Sequence, residues 1–373
     1  MSIAPLSDLL VVSLEQAVAA PYCSRLLAEG GARVIKLERP EGDFARAYDS
    51  AIHGQSAYFV WLNSGKESVA VDLTLATDCA LLRGMLKQAD VFVQNLKPGA
   101  VDRLGFGYAA VHALNPRLVM CSISGYGSNG PYADMKAYDA LIQAETGLCS
   151  VTGSPGQPSK VGASICDIST GLSAYGEVLK ALYAREKTGL GMHIELSLFE
   201  VLSEWMAVPL AILEYAGKML GGTGMDHAQL APYGAYAAAD GPIFVVIQNQ
   251  REWVQLCRDG LERPEMADDP RYRSNVLRVE HRDALRADME AVFARYTQVE
   301  IAKKLNDVGV ACGNINDIAG LQRHPALRRK EISAGGLPVS LIRRTGDLLD
   351  VPAVPALDEQ GAALRAEFSA QRS

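Results

Sequence analysis

The sequence predicts an α/β protein whose main domain is a mostly parallel sheet covered by helices. Two observations lead to this prediction. Short β-like runs alternate with helical segments through the first half of the chain, and repeated strand–helix–strand units are typical of parallel sheets. Hydrophobic residues make up 49% of the 373 residues and charged residues 21%, which suits a large buried core. We therefore expect one large domain and a smaller second one.

Local patterns predict the elements of the first half in order. The predicted strands are LLVVSL, ARVIKLE, ESVAVDL, DVFVQNL, RLVMCSISG and MHIELSL. The predicted helices are PYCSRLLAEGG, LATDCALLRGMLKQA, a long helix from Asp167 to about Lys187, and FEVLSEWMAVPLAILEYAG. Because strands and helices alternate, each helix is expected to connect two parallel strands and to cover one face of the sheet.

The character of the chain changes after residue 217, where a glycine-rich stretch without helical period begins. We predict a large domain over residues 1–217, a linker over 218–235 and a small domain over 236–324. The small domain would contain FVVIQN as a strand and charged helices near 251–260 and 280–307. The tail, residues 325–373, contains prolines and a last helix, and we expect it to return to the large domain.

Charge and composition exclude several classes of function. The net charge is −7 and no long basic block is present, which argues against nucleic acid as a partner. Neither a secretory signal nor an apolar run of membrane-spanning length is found, so we expect a cytoplasmic protein without a membrane partner. Seven scattered cysteines without a C-x-x-C pair and six histidines without ligand spacing predict neither disulfides nor a metal site.

Common nucleotide-binding and hydrolase motifs are also missing. The first predicted strand-to-helix turn, LEQAVAAPYC, contains no glycine, so the turn that lets pyrophosphate approach the backbone of NAD- or FAD-binding proteins is absent. No phosphate-binding G-x-x-x-x-G-K-[ST] loop and no G-x-S-x-G serine elbow occurs. The alternating architecture therefore serves some other ligand.

Asp167 stands out because it lies between a short small-residue run and a long helix, in KVGASICDISTG. Two interpretations are open from this local pattern. Asp is a common helix N-cap, because its carboxylate accepts hydrogen bonds from the first free N–H groups. A carboxylate at a helix start can also serve as a nucleophile, which is a rarer role.

Several long blocks of the sequence, in order, resemble the class III CoA-transferase family. The blocks are LEQAVAAPYCSRLLAEGGARVIKLERPEGD, NSGKESVAVDL, ADVFVQNLKPGAVDRLG, NPRLVMCSISGYGSNGPYAD and KVGASICDISTGLSAYGEVLKAL. The resemblance covers nearly the whole chain and is weakest after about residue 320. It implies a Rossmann-like large domain, a smaller α/β domain, and a homodimer of two interlocked rings.

The resemblance also implies a reaction. Family members move CoA from an acyl-CoA to a free carboxylic acid, and the catalytic aspartate of the family maps to Asp167. The nucleophile would form a mixed anhydride and then an aspartyl-CoA thioester. Acyl-CoA and a small carboxylic acid would be the substrates, and neither a metal nor a tightly bound cofactor is expected.

Other positions of the family pattern map onto this sequence one by one. Those that the resemblance places along CoA are Lys66, Asn95, Leu96, Arg103, Lys136, Tyr138, Val18 and Arg39. Those that it places near the acyl group are Gln16, Asp139, Gly221, Gly222, Gly224 and His227. Some relatives carry a glutamine where this chain has Val18, so the source of a side-chain oxyanion donor is open. The GGTG segment is either a lid over the acyl site or a plain linker.

Two alternative functions remain at this point. The related α-methylacyl-CoA racemases use a histidine where this chain has Tyr138, and a phenol is a poor general base at neutral pH. A non-catalytic CoA-binding protein would not need Asp167. We favour a transferase that acts on short dicarboxylates, with a donor similar to succinyl-CoA, because Tyr138, Gln143 and His227 could surround a second carboxylate.

Overall fold

The computed structural model describes residues 4–343 and 353–369, which divide into two compact units. The first unit comprises Met1–Gly147, Val161–Val208 and Arg328–Ser373, and the second comprises Leu148–Lys160 and Pro209–Leu327. The second unit thus begins earlier than the expected boundary at 217 and includes a short stretch from within the predicted large domain. Parts of the predicted tail, residues 344–352 and 370–373, lie outside the described residues.

The strands and helices of the described residues are numbered here in chain order. The strands are β1 (Leu10–Leu14), β2 (Arg33–Glu38), β3 (Lys66–Ala70), β4 (Val91–Gln94), β5 (Val119–Ser124), β6 (Gly153–Ser154), β7 (Gln157–Pro158), β8 (His193–Ser197), β9 (Tyr233–Ala238), β10 (Gly241–Val246), β11 (Ala311–Asn314), β12 (Arg329–Ala334) and β13 (Leu337–Ile342). The helices are α1 (Ala19–Glu29), α2 (Ala57–Asn63), α3 (Ala76–Gln88), α4 (Ala100–Arg103), α5 (Tyr108–Leu114), α6 (Asp139–Glu145), α7 (Leu148–Val151), α8 (Ile165–Thr188), α9 (Leu198–Trp205), α10 (Ala207–Ala216), α11 (Gln250–Gln255), α12 (Glu265–Asp268), α13 (Asn275–Glu280), α14 (Arg282–Phe293), α15 (Gln298–Asp307), α16 (Ile318–Arg323) and α17 (Gly361–Ser369).

The first unit is built on a six-stranded sheet in the order β3-β2-β1-β4-β5-β8, and every neighbouring pair is parallel. This confirms the predicted α/β class. The order reverses between β1 and β4, and ligands of such sheets bind outside the carboxyl ends of the strands at this reversal. The sheet therefore directs attention to the loops that follow β1, β2 and β4.

Alternate residues of the strands fill two separate cores, one on each face of the sheet. On β1, Val12 and Leu14 belong to the core that includes α3, whereas Val11 belongs to the core that includes α1 and α8. Helix α17 adds Leu364 and Phe368 to the α3 side, so the described part of the tail belongs to the core of this unit. Burial on both faces explains why the strands read as nearly continuous apolar runs.

The second unit contains a three-stranded antiparallel sheet, β11-β10-β9, and five helices that share its core. The predicted strand FVVIQN corresponds to the end of β10 and the residues after it. Residues 218–232 form no helix or strand, in keeping with their glycine content. In residues 4–343 and 353–369, no helix is long and apolar enough to cross a membrane.

Candidate active site

Asp167 lies in the first turn of α8, but it is not the residue that caps the helix. Ser164 occupies the N-cap position, and Asp167 is the third helical residue. The free N–H groups of Cys166 and Asp167 donate to one carboxylate oxygen, Oδ2 of Asp139, at 2.8 and 3.2 Å. The cap interpretation of Asp167 is therefore wrong, because a carboxylate 28 residues earlier in the chain already accepts these hydrogen bonds.

The carboxylate of Asp167 itself is half-buried and accepts no hydrogen bond from any described residue. Burial raises its pKa to about 7, and the negative charge of Asp139 adds to this shift. A carboxylate with this environment is ionised at mildly alkaline pH and keeps its lone pairs available. These are the properties that a carboxylate nucleophile needs.

Asp139 and Gln143 are connected by hydrogen bonds to each other and to the segment at the start of α8. Oδ1 of Asp139 accepts from Nε2 of Gln143 at 2.6 Å, and Oε1 of Gln143 accepts from the backbone N–H of Val161 at 2.8 Å. Gln143 is fully buried. The polar atoms of both side chains thus hydrogen-bond within the protein, and the place of Asp139 and Gln143 beside an acyl group stays a prediction.

Tyr48 interacts electrostatically with Asp167 and with two other tyrosines, Tyr58 and Tyr138, and sequence reasoning found only Tyr138. The hydroxyl groups of Tyr58 and Ser164 lie 3.0 Å apart, and the ring of Tyr48 meets that of Tyr58 edge to face at 5.8 Å. Burial raises the pKa of Tyr48 to about 12, with nearby carboxylates adding to the shift. Tyr48 therefore remains a hydrogen-bond donor at every physiological pH.

Helix α1 begins beside the start of α8. Val18 and Ile168 belong to the same apolar cluster, and Gly171 of α8 faces the backbone of α1 so closely that an added Cβ would lie 2.4 Å from the carbonyl oxygen of Ala19. Val18 was expected to lie along CoA. Its side chain is buried and apolar, so only its main chain could offer a hydrogen bond to a substrate.

The turn before α1 is held in an uncommon conformation. Ala17 has a φ of 62°, in the left-handed region that non-glycine residues rarely adopt. Its N–H donates to Oδ1 of Asp43 at 3.2 Å, while Oδ2 of Asp43 accepts from the buried ammonium of Lys36 at 2.8 Å. Strain of this kind persists when the surroundings fix it, and it often marks functional sites.

A cavity of about 360 Å³ opens at the carboxyl ends of β1 and β2 in the first unit. Its lining includes Gln16, Arg39, Val71, Leu73, Leu96 and Leu104. The guanidinium of Arg39 donates to Oε1 of Gln16 at 2.9 Å. The structure therefore brings three of the predicted residues, Gln16, Arg39 and Leu96, to one cavity at the reversal of strand order.

Two further predicted cations, Arg103 and Lys136, are exposed in the first unit. Arg103 directly precedes Leu104, which lines the cavity. No acidic side chain within the described ranges pairs with Arg103, Lys136 or Arg39. The positive charges of all three are therefore available to an anionic ligand.

Lys66 and Asn95 have structural roles that the sequence did not indicate. The ammonium group of Lys66 is fully buried and donates to Glu15 at 2.7 Å, Asn63 at 3.0 Å and the carbonyl of Pro21 at 3.1 Å. All three of its hydrogens are used, so it is not positioned to contact a phosphate. The side-chain amide of Asn95 exchanges two hydrogen bonds of 2.9 Å with the backbone of Gln16, which fixes the loop after β1.

The glycine-rich segment and His227 lie in the second unit. The N–H of Gly224 donates to the carbonyl of Gly153 at 2.7 Å, and an added Cβ on Gly222 would lie 2.5 Å from the same oxygen. Nδ1 of His227 accepts from the N–H of Gln229. The close backbone approach explains the glycine at 222, while coverage of the acyl site by this segment, including Gly221, stays a prediction.

Comparison with known proteins adds independent information. Residues 6–356 match the model of CoA-transferase family III. The chain is 37% identical to acetyl-CoA:oxalate CoA-transferase from Acetobacter aceti, over 98% of this chain and 96% of that protein. It is 32% identical to succinate–glutarate CoA-transferase from Agrobacterium fabrum, over 95% and 90% of the two chains.

Solved structures give the same picture. A CAIB/BAIF family protein from Brucella suis is 34% identical, with a TM-score of 0.82 over 98% of this chain and 99% of that chain. The protein Rv3272 from Mycobacterium tuberculosis is 26% identical, with a TM-score of 0.85 over 96% and 99%.

Proposed function

This chain belongs to CoA-transferase family III, and we propose that it moves CoA from an acyl-CoA donor to a short dicarboxylic acid through covalent intermediates on Asp167. The family resemblance seen in the sequence is thereby confirmed, and the enzyme class with it. The observation that carries the proposal is the Asp167 carboxylate, which is half-buried and accepts no hydrogen bond from residues 4–343 and 353–369, while burial raises its pKa to about 7.

The proposed reaction has four steps, each an exchange of one acyl bond for another. The Asp167 carboxylate attacks the thioester carbonyl of the donor. The C–S bond breaks, CoA leaves as a thiolate, and a mixed anhydride of Asp167 and the donor acid is formed. The thiolate then attacks the side-chain carbonyl of Asp167, which releases the donor acid as its carboxylate and leaves an aspartyl-CoA thioester. Up to this point no proton is consumed or released.

The second half reverses these bonds with the acceptor. The acceptor carboxylate attacks the aspartyl-CoA thioester, expels the thiolate and forms a second anhydride. The thiolate attacks the acceptor's acyl carbon, which yields the new acyl-CoA and frees the Asp167 carboxylate. Each tetrahedral step requires hydrogen-bond donors for the oxyanion, and the start of α1, which has no side-chain cap, offers backbone N–H groups beside α8.

We assign the nucleotide end of CoA to the cavity at the reversal of strand order. Leu73, Leu96 and Leu104 offer an apolar surface for the adenine ring, and Arg39 and Arg103 offer positive charge for the phosphates. Lys136, two residues before Tyr138, is a third exposed cation of the first unit. The proposal draws support from the position of the cavity, because α/β sheets bind nucleotides at this edge.

A short dicarboxylate is the proposed acceptor for two reasons. The relatives described above are named for oxalate, succinate and glutarate. Near Asp167, the hydroxyl groups of Tyr48, Tyr58 and Tyr138 can donate hydrogen bonds to a second carboxylate without placing a cation beside the nucleophile. Succinyl-CoA and acetyl-CoA are the donors to test first.

The racemase and the non-catalytic alternatives receive no such support. A racemase requires a second base opposite Asp167, and the position of that base is occupied by Tyr138, whose phenol is a weak base at neutral pH. The related proteins described above carry the names of CoA-transferases. Transfer of CoA is therefore the activity to measure.

We also propose that the functional form is a homodimer. Helix α10 has a mostly apolar sequence, AVPLAILEYA, yet none of its side chains is buried within the chain. Val208, Leu210, Leu213 and Tyr215 are among the exposed large hydrophobic residues. A helix with this many exposed apolar side chains is typical of a protein–protein interface.

The decisive experiment combines a substrate panel with a chemical trap. Acetyl-CoA and succinyl-CoA are each incubated with oxalate, succinate or glutarate, and the new acyl-CoA is identified by mass spectrometry. In a parallel reaction, hydroxylamine intercepts the activated carboxylate and converts it to a hydroxamate. We expect transfer to at least one of these acids and a hydroxamate on the peptide that contains ASICDISTG. A hydroxamate on a different acidic residue would contradict the assignment of Asp167.

A further inference from the structure

The first turn of α8 needs an acceptor for its free N–H groups, and two carboxylates could supply it. The hydroxyl of Ser164, at the N-cap position, makes no capping hydrogen bond and instead lies 3.0 Å from the hydroxyl of Tyr58. An acid in the first turn can fold back toward the helix start and accept from these groups. Asp167 is in that turn, so its own carboxylate competes with that of Asp139.

Asp139 accepts hydrogen bonds from these N–H groups, and a hydrogen bond to its second carboxylate oxygen holds it in that position. While Oδ2 accepts from the N–H groups of Cys166 and Asp167, Oδ1 accepts from Gln143 at 2.6 Å. Gln143 lies one helical turn after Asp139 on α6, so both side chains project from the same face.

Gln143 is in turn anchored to the segment that leads into α8. Its Oε1 accepts from the N–H of Val161 at 2.8 Å, and its Nε2 lies 3.4 Å from the carbonyl oxygen of the same residue. The side chain is fully buried, so water does not compete for these bonds. Gln143 therefore connects three parts of the first unit: helix α6, the loop residue Val161, and, through Asp139, the start of α8.

We propose that Gln143 is a positioning residue for the transfer reaction: it holds the Asp139 carboxylate on the first turn of α8 and so keeps the Asp167 carboxylate free of hydrogen bonds. This inference rests on the proposed role of Asp167 as nucleophile. A carboxylate that accepts backbone hydrogen bonds is stabilised as an anion and becomes a weaker nucleophile. Because Gln143 holds the Asp139 carboxylate on the backbone N–H groups of α8, the Asp167 carboxylate does not accept hydrogen bonds from them.

The charge environment makes the inference measurable. The titratable groups that interact with Asp167 include Asp139 of α6, Tyr48 from the segment before α2, and Cys166 of α8, and Tyr48 in turn interacts with Tyr58 and Tyr138. Burial raises the pKa of the Tyr48 phenol to about 12 and that of the Cys166 thiol well above its ordinary value, so both are neutral in a neutral assay. The acid limb of kcat/KM therefore reports on the ionisation of Asp167 beside the Asp139 carboxylate.

Two variants of Gln143 should move this acid limb in opposite directions. Gln143→Met keeps the length of the side chain but loses the donor to Asp139. Once Asp139 is released, the α8 N–H groups become available to Asp167, and we expect the limb to move at least about one pH unit lower, with kcat reduced about tenfold and KM for acyl-CoA little changed. Gln143→Glu adds a third carboxyl group, which should move the limb to higher pH.

Controls separate a positioning role from a merely structural one. Asn115→Ala removes another side-chain amide of the first unit, which donates to the carbonyls of Leu86 and Ala89 at the carboxyl end of α3. It should lower the melting temperature and leave the acid limb unchanged. Gln143→Glu is nearly isosteric and can still donate to Asp139 while protonated, so it remains informative even where Gln143→Met does not fold.

The outcomes also separate this inference from the proposed function. Asp167→Asn is measured in parallel, and retention of transfer by that variant would remove the nucleophile itself. If Asp167→Asn is inactive and the acid limb of either folded Gln143 variant equals that of the parent, the nucleophile stands and the role of Gln143 is overturned. Opposite shifts of the two variants, with an unchanged limb in Asn115→Ala, establish the positioning role.

Discussion

At the scale of single residues, the site depends on two carboxylates that have different tasks. Asp139 accepts two hydrogen bonds from N–H groups at the start of α8 and a third from Gln143, so both of its oxygens are hydrogen-bonded within the protein. Asp167, in the first turn of the same helix, accepts no hydrogen bond from the part of the chain that the structure describes, and its pKa is raised to about 7 by burial and by Asp139. Environment, and not residue type, therefore assigns one carboxylate to structure and the other to chemistry.

Replacement of Asp167 by Asn tests this assignment directly. The amide cannot form an anhydride, so transfer should fall at least about a thousandfold, equivalent to about 4 kcal/mol of activation free energy. The measurement is steady-state transfer to the best acid of the panel. Asp8→Asn, which neutralises an exposed carboxylate of the same unit, should retain parent activity.

The same variant should change stability in a pH-dependent way. The folded-state pKa of Asp167 is about 7, above its ordinary value of 3.8, so ionisation disfavours the folded state. This contribution to stability is fully present below about pH 4 and is lost as the pH rises through 7. Asp167→Asn removes the titration, so its melting temperature relative to the parent should increase between pH 4 and 8, by a few degrees. A constant difference across this range would contradict the raised pKa.

Parent activity should show the corresponding acid limb. Because the attacking group is the carboxylate form, kcat/KM should rise with pH up to about 7 and then level off. Rates are measured at subsaturating acyl-CoA in buffers of constant ionic strength. A profile that is flat down to pH 5 would show that the nucleophile is an ordinary, low-pKa carboxylate.

At the scale of elements, the position of Asp167 depends on the close approach of α1 and α8. Gly171 permits this approach, because any side chain there would meet the carbonyl of Ala19 and the ring of Tyr22. The approach places Val18 and Ile168 in one apolar cluster and so brings the start of α1 to the start of α8.

Two glycines of α8 provide a matched pair for this contact. Gly171→Ala should force the helices apart, cost about 1–3 kcal/mol of stability and reduce kcat. A Cβ added to Gly176 of the same helix would meet no atom within 4 Å, so Gly176→Ala should stabilise the protein by up to about 1 kcal/mol and leave kcat unchanged. Thermal unfolding and transfer assays of both variants measure the difference.

The first three strands of the sheet are connected by a buried group of charges beneath the cavity. Glu15 follows β1, Lys36 lies on β2 and Lys66 on β3, and their charged atoms are fully buried. Burial would raise the pKa of Glu15, but the two lysines hold it below its ordinary value. Such a group ties neighbouring strands together only while both signs of charge are present.

Lys66 and Arg103 should therefore respond to substitution in opposite ways. Lys66→Met leaves Glu15 with a single, more distant lysine and should cost about 3 kcal/mol of stability, without a specific rise in KM. Arg103→Ala removes an exposed cation beside the cavity and should raise KM for acyl-CoA at nearly constant kcat and melting temperature. If Lys66→Met is fully folded but has a much higher KM for acyl-CoA, Lys66 contacts a CoA phosphate and the structural role is contradicted.

At the scale of the whole molecule, the chain supplies a cavity and a nucleophile in its first unit and exposes an apolar helix, α10. We expect that helix to be covered by a second copy of the chain. The parent should elute at twice the chain mass of 40.0 kDa, and Leu210→Glu should shift it toward the monomer. Light scattering after size exclusion measures the mass. Ile318→Glu, at another exposed apolar position, serves as the control, and a monomeric parent at micromolar concentration would contradict the dimer.

The sequence by itself determined the α/β class, the six strands of the parallel sheet, helices α1, α3 and α8, the family, and Asp167 as the candidate nucleophile. These follow from patterns within short segments: apolar runs that match buried strands, a long helix after KVGASIC, and family blocks that are read residue by residue. In the same way Arg39 and Leu96 were assigned to CoA and Gln16 to the acyl group, and all three line one cavity in the structure.

Only the tertiary structure decided which polar side chains face a ligand and which face the protein. Lys66 and Glu15 are 51 residues apart, and Asp139 accepts a hydrogen bond from the N–H group of Cys166, 27 residues later in the chain. No local pattern therefore indicates either pairing. Tyr48 and Tyr58 come from the long connection between β2 and β3, whose path is fixed only when the sheet is assembled. Burial and charge pairing are properties of that assembly, and they determine whether a lysine binds a phosphate or a carboxylate acts as a nucleophile.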